Sequence, residues 1–133
     1  MSAAHRYVDV QNTTASKERL MVSLFDTALR HMRTAIRHLD GKDLRAAMPL
    51  LDKASKIVGY LHGTLNRDAA PRLVDELAEL YLFTIARLSR AIITAKASDV
   101  REAERTFAPI ADGFSRAVAA LAQQPSAAHA PRP

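Results

Sequence analysis

Residues 14–40 read TASKERLMVSLFDTALRHMRTAIRHLD, and this stretch decides the fold class of the chain. A polar segment ends here and a long amphipathic helix begins. Ser16 can cap this helix by accepting a hydrogen bond from a free N–H group of the first turn, and Glu18 places negative charge at the positive end of the helix dipole. The apolar residues then recur at steps of four and three, the spacing of a helix that faces a bundle core: Met21, Phe25, Ala28, Met32, Ala35 and Leu39.

Turn signals divide the following sequence into three more helices of similar length. They lie at residues 40–43, 66–71 and 98–99, and the helices between and after them cover about 44–65, 72–97 and 100–122. Asp43 can cap the second helix, Pro71 suits the first turn of the third, and Ser98 with Asp99 can cap the fourth. Because short connections place neighbouring helices antiparallel, the sequence predicts an all-α fold, an antiparallel up-down four-helix bundle over residues 16–122.

The two ends of the chain lack this helical repeat. Residues 1–15 form an N-terminal arm that is either mobile or docks through Tyr7, Val8 and Val10. Residues 123–133 hold three prolines and predict a disordered tail. Pro49 and Pro109 fall inside the second and fourth helices, opposite the apolar faces, and we expect them either to bend these helices or to mark late helix starts, and not to be boundaries between elements.

The composition limits the classes of protein to consider. A chain of 133 residues is long enough for one modest core, and an aromatic content of 5% without tryptophan predicts a core of Leu, Ala, Ile and Val. The absence of cysteine excludes disulfides and thiolate metal sites. The first residues hold no apolar run of signal-peptide length, and no later run could span a bilayer. We therefore expect a cytoplasmic protein without membrane insertion.

The net charge of +5 and the sequence pI of about 10.0 raise the question of an anionic partner. Arg30, Arg33 and Arg37 share the solvent side of the first long helix, but Asp26 and Asp40 dilute them. No aromatic residues alternate with these arginines, as base stacking would require. We interpret this side as a solvated face and expect no nucleic-acid partner.

The core-facing sides of the four helices hold no residues suited to catalysis or metal binding. They contain almost only Ala, Leu, Ile, Val, Met and Phe, and no carboxylate lies on them, so the Glu-x-x-His pairs of di-iron bundles are missing. His31 and His38 lie seven residues apart on a polar face, too far apart for one metal ion. We expect no enzyme activity, no catalytic residue, no cofactor and no metal site. His62 is the nearest candidate for the solvent-facing histidine of a phosphotransfer bundle, which is an alternative class.

The third helix carries more apolar residues than one inward face needs. Its inward face consists of Val74, Leu77, Tyr81, Leu88, Ala91 and Ala95, with Ile85 and Ile92 beside them. Leu82, Phe83, Ala86 and Ile93 are extra, and at about 100° per residue most of them cluster on another side of the helix. Either a neighbouring helix or the N-terminal arm covers them, or they form a groove for a partner.

Four groups of residues, spread over nearly the whole domain from Tyr7 to Leu121, carry a family resemblance through their order and spacing: Tyr7 with residues 14–16 (TAS), Leu20, Leu24, Phe25, Asp26 and Ala28; residues 53–57 (KASKI) with Leu61, Thr64 and Leu65; residues 80–83 (LYLF) with Leu88 and Ala91; and residues 112–114 (DGF). Together they resemble the flagellin-specific export chaperones of bacteria, the FliS family.

The resemblance implies a cytosolic chaperone that binds the disordered C-terminal region of newly made flagellin, blocks its premature polymerisation and escorts it to the flagellar export gate. Other flagellar regulators and a second copy of the chain are further candidate partners. In that family the client fills apolar grooves, and the region of the arm tyrosine lies near one of them. We therefore take Tyr7, Leu82, Phe83, Ala86 and Ile93 as candidate partner-binding residues. The alternative is a helical-bundle adaptor, or a self-associating regulatory protein, that uses the same apolar residues.

Overall fold

The structure, a computed structural model, describes residues 3–11 and 17–123. Helices make up almost all of this part, and no strand occurs in it: α1 Ala3–Val10, α2 Glu18–Asp40, α3 Leu44–Gly63, α4 Pro71–Thr94 and α5 Ala97–Gln123. Helix α2 packs on α3 and α5, and α4 packs on the same two helices, so α2 and α4 lie at opposite corners of a four-helix bundle. The predicted fold class is confirmed.

The N-terminal arm contains a helix that the sequence pattern does not indicate. The arm shows no helical repeat, but Ala3–Val10 forms α1 and packs on α5. A helix of eight residues is too short to be stable in isolation, so its contacts with the bundle stabilise it. Val8 and Val10 supply these contacts and are buried. The predicted disordered tail falls, from residue 124 onward, outside the described residues.

Two helix starts follow from local chemistry as predicted. Asp43 caps α3, because its carboxylate accepts a hydrogen bond of 3.2 Å from the Ala46 N–H. Pro71 is the first residue of α4, a position where its missing N–H costs nothing. Pro49 and Pro109 lie on the exposed sides of α3 and α5, and both helices continue through them.

The starts of α2 and α5 differ from the predictions. Lys17 occupies the N-cap position of α2 and makes no capping hydrogen bond with its side chain. The predicted cap, Ser16, lies outside the described residues. Helix α5 begins at Ala97, so Asp99 lies inside its first turn rather than at the cap. Asp99 is buried there and accepts a hydrogen bond of 2.8 Å from the Thr94 hydroxyl.

The centre of the core is aromatic, which corrects the expectation of a purely aliphatic core. The four largest fully or almost fully buried side chains are Tyr81, Phe25, Phe107 and Phe114. The ring centroid of Phe25 lies 5.5 Å from that of Phe107 and 5.1 Å from that of Phe114, and Tyr81 lies 6.3 Å from Phe107. Such pairs add to the free energy of burial, so these rings join α2, α4 and α5. Most of the few aromatic residues of the chain meet at the centre of the core, so a low aromatic content is enough to make this centre aromatic.

The end of α2 has a left-handed residue at a position that favours glycine. The Asp43 N–H donates to the His38 carbonyl and the Lys42 N–H to the Leu39 carbonyl, which is the pattern of a Schellman turn. Lys42 is the left-handed residue of this turn, with φ of 59°, whereas Gly41 before it has φ of −86°. The glycine of the sequence thus marks the turn but lies one residue before the strained position.

We expect Lys42→Gly to raise the free energy of unfolding by about 1 kcal/mol, because it removes the cost of a side chain in the left-handed region. Lys42 is exposed, so the substitution removes no packing. Urea unfolding measures the change. The matched control is Arg105→Gly on the exposed side of α5, which should lower the free energy of unfolding by about 1 kcal/mol. A loss of stability in both variants would contradict this description of the turn.

Candidate functional site

The outward face of α4 carries an exposed apolar patch. Leu82, Phe83 and Ile93 expose 54%, 39% and 84% of their surface, and Ala86 is also exposed. We call these four residues the α4 patch. The opposite face of the helix, from Val74 to Ala91, is buried in the core. Within the described residues neither a neighbouring helix nor α1 covers the patch.

A shallow cavity of about 640 Å³ lies over three residues of the α4 patch. Phe83, Ala86 and Ile93 line it together with polar and charged residues of the same helix. Leu82 is not part of its lining and extends the apolar surface beside it. Ile92, which was expected beside the inward face, is 41% exposed and enlarges the surface further. The site is an open groove on one helix and not a closed pocket.

Charged residues hold one wall of this groove in place. The Arg87 guanidinium lies 5.0 Å from the centroid of the Phe83 ring, within the range of a cation–π interaction. Arg87 Nε is 2.9 Å from the Glu102 carboxylate on α5, and Arg90 Nε is 3.5 Å from the buried Asp99. The first turns of α5 therefore fix the orientation of Phe83 through Arg87. The spacing of Phe83 and Arg87, one helical turn apart, is the sequence signal for this contact.

Tyr7 lies on a different surface from the α4 patch. It belongs to α1, and its ring approaches the position that a Cβ atom would occupy on Gly113 of α5 to 3.3 Å. A small cavity of about 280 Å³ lies beside this contact. On α5, Gly113 lies beside Tyr7, and Glu102 pairs with Arg87 of the groove. These two residues are eleven positions apart, or about 16 Å along the helix axis. The structure therefore groups Phe83, Ala86 and Ile93, places Leu82 beside them, and does not bring Tyr7 to them.

A buried glutamine anchors α1 to the bundle. Gln11 is 2% exposed, and its amide group donates to the Leu61 carbonyl at 2.6 Å and to the Thr64 hydroxyl. Its carbonyl oxygen accepts a hydrogen bond of 2.7 Å from the Tyr81 hydroxyl. The Asn66 N–H also donates to the Val10 carbonyl at 2.7 Å. Burial raises the pKa of Tyr81, so its hydroxyl remains a donor.

The described residues contain no site for metal chemistry. No group of three His, Asp or Glu side chains in this part of the chain could hold a metal ion. No helix of this part is long and apolar enough to cross a membrane. His31 has a lowered pKa because it is partly buried and because Lys53 and Arg30 lie near it. Its surroundings are thus positive, which disfavours a bound cation.

A family model described as flagellar protein FliS matches residues 1–121 of the chain. The chain belongs to the FliS family. FliS proteins are flagellar chaperones and not enzymes, which agrees with the expectation of a protein without catalysis. A comparison with curated proteins gave no significant match. The matched residues include all five candidate residues. The surface around Tyr7 on α1 and the α4 patch therefore both lie in the part of the chain that matches the FliS model.

In this FliS domain we expect Gln11→Ala to release α1 from the bundle. The substitution leaves the buried Tyr81 hydroxyl without its partner, which should cost about 1–3 kcal/mol of unfolding free energy. Hydrogen–deuterium exchange should be faster in α1 than in the unsubstituted chain. The double substitution Gln11→Ala and Tyr81→Phe should restore part of the loss, because it removes both members of one hydrogen bond. Unchanged exchange in α1 would contradict the anchoring role.

The positive surroundings of His31 can be measured by NMR titration of the FliS domain. We expect the pKa of His31 to lie below the ordinary value of 6.5, and Lys53→Gln should raise it. Lys56→Gln, on the same helix but paired with Asp52, is the matched control and should leave it unchanged. Because the unfolded chain binds this proton more readily, His31 lowers the stability of the fold as the pH falls below 6.5. An ordinary pKa in the unsubstituted chain would disprove the description.

Proposed function

We propose that this chain is a cytoplasmic chaperone of flagellar type III export that binds the disordered C-terminal region of flagellin in the groove of the α4 patch. Membership in the FliS family supports the chaperone role. The observation that carries the choice of site is the apolar outward face of α4, which remains exposed after all described elements have packed. A bound client segment cannot take part in filament contacts, which is how binding prevents premature polymerisation.

The shape of the groove suits an amphipathic client helix. Ala86 has a small side chain on the floor of the groove, and Phe83 and Ile93 line it on either side along α4. A large apolar side chain of the client can be placed over Ala86 and lose its exposed surface at about 25 cal/mol per Å². The client must become ordered at the same time, and this cost lowers the net affinity. Binding of this kind is reversible, as release at the export gate requires.

Phe83 is pre-oriented for this contact. Its ring lies against Arg87, and Arg87 is held by Glu102 of the neighbouring helix. A side chain that is already fixed loses less conformational entropy when a partner binds. The ion pair between Arg87 and Glu102 thus favours binding by holding this wall of the groove in place.

Tyr7 adds a second contact in this proposal. A client that leaves the α4 patch near Glu102 and continues along α5 follows about 16 Å of helix axis to Gly113 at the cavity beside Tyr7, which is roughly five extended residues. An extended client segment can therefore contact both surfaces, although the folded domain keeps them apart. The same proposal includes delivery to the flagellar export gate and contacts with other flagellar regulators.

The double substitution Leu82→Asp and Ile93→Asp should abolish co-purification with flagellin, because two carboxylates would have to be desolvated in an apolar contact. Both residues are exposed, so the helical circular dichroism signal should remain. The control Leu20→Asp and Leu44→Asp removes two exposed leucines from α2 and α3 and should leave binding intact. Binding that survives the α4 substitutions, or that both double variants lose equally, would exclude this groove.

Self-association through the same patch is the competing function. Light scattering with and without a flagellin C-terminal peptide separates the two. A chaperone is expected to gain the mass of one peptide. A homodimer formed through the patch would have twice the mass of the chain before the peptide is added, and the peptide would not add to that mass.

A further inference from the structure

A second surface of different chemistry lies on the outward face of α2. Helices α2 and α4 each pack on α3 and α5 and lie at opposite corners of the bundle, so their outward faces point in opposite directions. A protein bound to the outward face of α2 would therefore leave the α4 patch itself accessible. The inference drawn from this surface does not rest on the function proposed for α4.

Three arginines follow one another on this face of α2. Arg30 donates to the Thr27 hydroxyl at 3.4 Å and Arg37 to the Thr34 hydroxyl at 3.1 Å, so each guanidinium lies along its own helix. Neither of them forms an ion pair with a carboxylate of the described residues. Arg33 between them pairs with Glu104 of α5. Two exposed charges in this row thus have no ion-pair partner in the described part of the chain.

The arginines line a furrow between α2 and α5. One cavity of about 330 Å³ is lined by Arg30, Arg33 and Arg37 with Asp26, Leu29 and Thr34. A second cavity of about 260 Å³ continues it toward α5. It shares Asp26, Leu29 and Arg33 with the first and is also lined by Asp112. A continuous concave surface of this kind can hold a segment of chain, whereas a solvated convex helix face cannot.

Other charges add to the positive potential of this side. Lys53 of α3 and Arg30 both disfavour protonation of His31, which lies one residue from Arg30. The chain as a whole carries a net charge of +5. Of the two carboxylates beyond the ends of the row, Asp40 pairs with Arg101 of α5, whereas Asp26 lines both cavities and lowers the positive potential near Arg30.

We propose that the furrow between α2 and α5 binds an acidic helical segment of a second protein. A helix with carboxylates two turns apart can face Arg30 and Arg37, since these two arginines are themselves seven residues apart on one face of α2. Asp26 and Asp112, which line the furrow, would repel the continuous phosphates of a nucleic acid or the headgroups of an anionic membrane. A peptide avoids this repulsion because it can carry a neutral or basic residue opposite each of them.

The test uses the full chain and an alanine-based helical peptide of about 20 residues with glutamate at every third or fourth position. The same peptide with glutamine in place of glutamate is the second probe. Fluorescence anisotropy should show that the glutamate peptide binds and the glutamine peptide does not, and that salt weakens the binding. Arg30→Gln together with Arg37→Gln should weaken it about tenfold.

The matched control removes two exposed cations from other surfaces, by Arg45→Gln together with Arg72→Gln, and should leave the affinity nearly unchanged. Equal loss in both double variants would reduce the effect to net charge and overturn the proposal. Absence of binding by the glutamate peptide would overturn it as well. So would preferential binding of anionic lipid vesicles or duplex DNA through Arg30 and Arg37.

Discussion

The hydroxyl group of Tyr81 must be hydrogen bonded in the middle of a packed bundle, and the position of the N-terminal arm depends on this requirement. The ring of Tyr81 belongs to the aromatic centre of the core, and its oxygen reaches an apolar interior where an unpaired donor is costly. Gln11 satisfies it and at the same time pairs with Leu61 and Thr64. One buried amide therefore connects the arm to α3 and α4, and α1 comes to lie on α5.

The placement of α1 leaves the outward face of α4 open. A helix in a bundle needs one apolar face, and α4 uses the face from Val74 to Ala91 for this purpose. The residues of the α4 patch form a second apolar face, which remains exposed in the described part of the chain. An exposed apolar surface lowers the solubility of a protein, so a large one indicates that a partner covers it. This agrees with the client-binding role proposed for this FliS protein. The arginine row of α2, at the opposite corner, gives the same small domain a second face with opposite chemistry.

The spacing of apolar residues predicted much of this architecture, because each helix of a bundle places its apolar residues on the side that faces the core. The steps of four and three from Met21 to Leu39 predict α2, and all six residues of that series are buried. The sequence also shows the extra apolar residues of α4, which are Leu82, Phe83, Ala86 and Ile93. They stand out because the two neighbouring helices of a bundle cannot bury apolar residues on two sides of α4.

Features that depend on contacts between distant residues were not visible in the sequence. The eight residues of α1 are too few to show a repeat, and their helix depends on contacts with α5. Gln11 finds partners fifty and seventy residues away, and polar residues of this kind carry no local signal. Tyr7 was grouped with the α4 patch by family resemblance alone, whereas the fold places it against Gly113. The left-handed residue after α2 is Lys42 and not Gly41, a difference of one residue that turn chemistry alone does not resolve.

The most direct test of the central claim is an NMR titration of the labelled chain with a flagellin C-terminal peptide. The account predicts that the largest backbone shift changes occur at Phe83, Ala86, Arg87 and Ile93 on α4, with smaller changes around Tyr7 and Gly113. Shift changes confined to α2 and α3, with α4 unaffected, would contradict it.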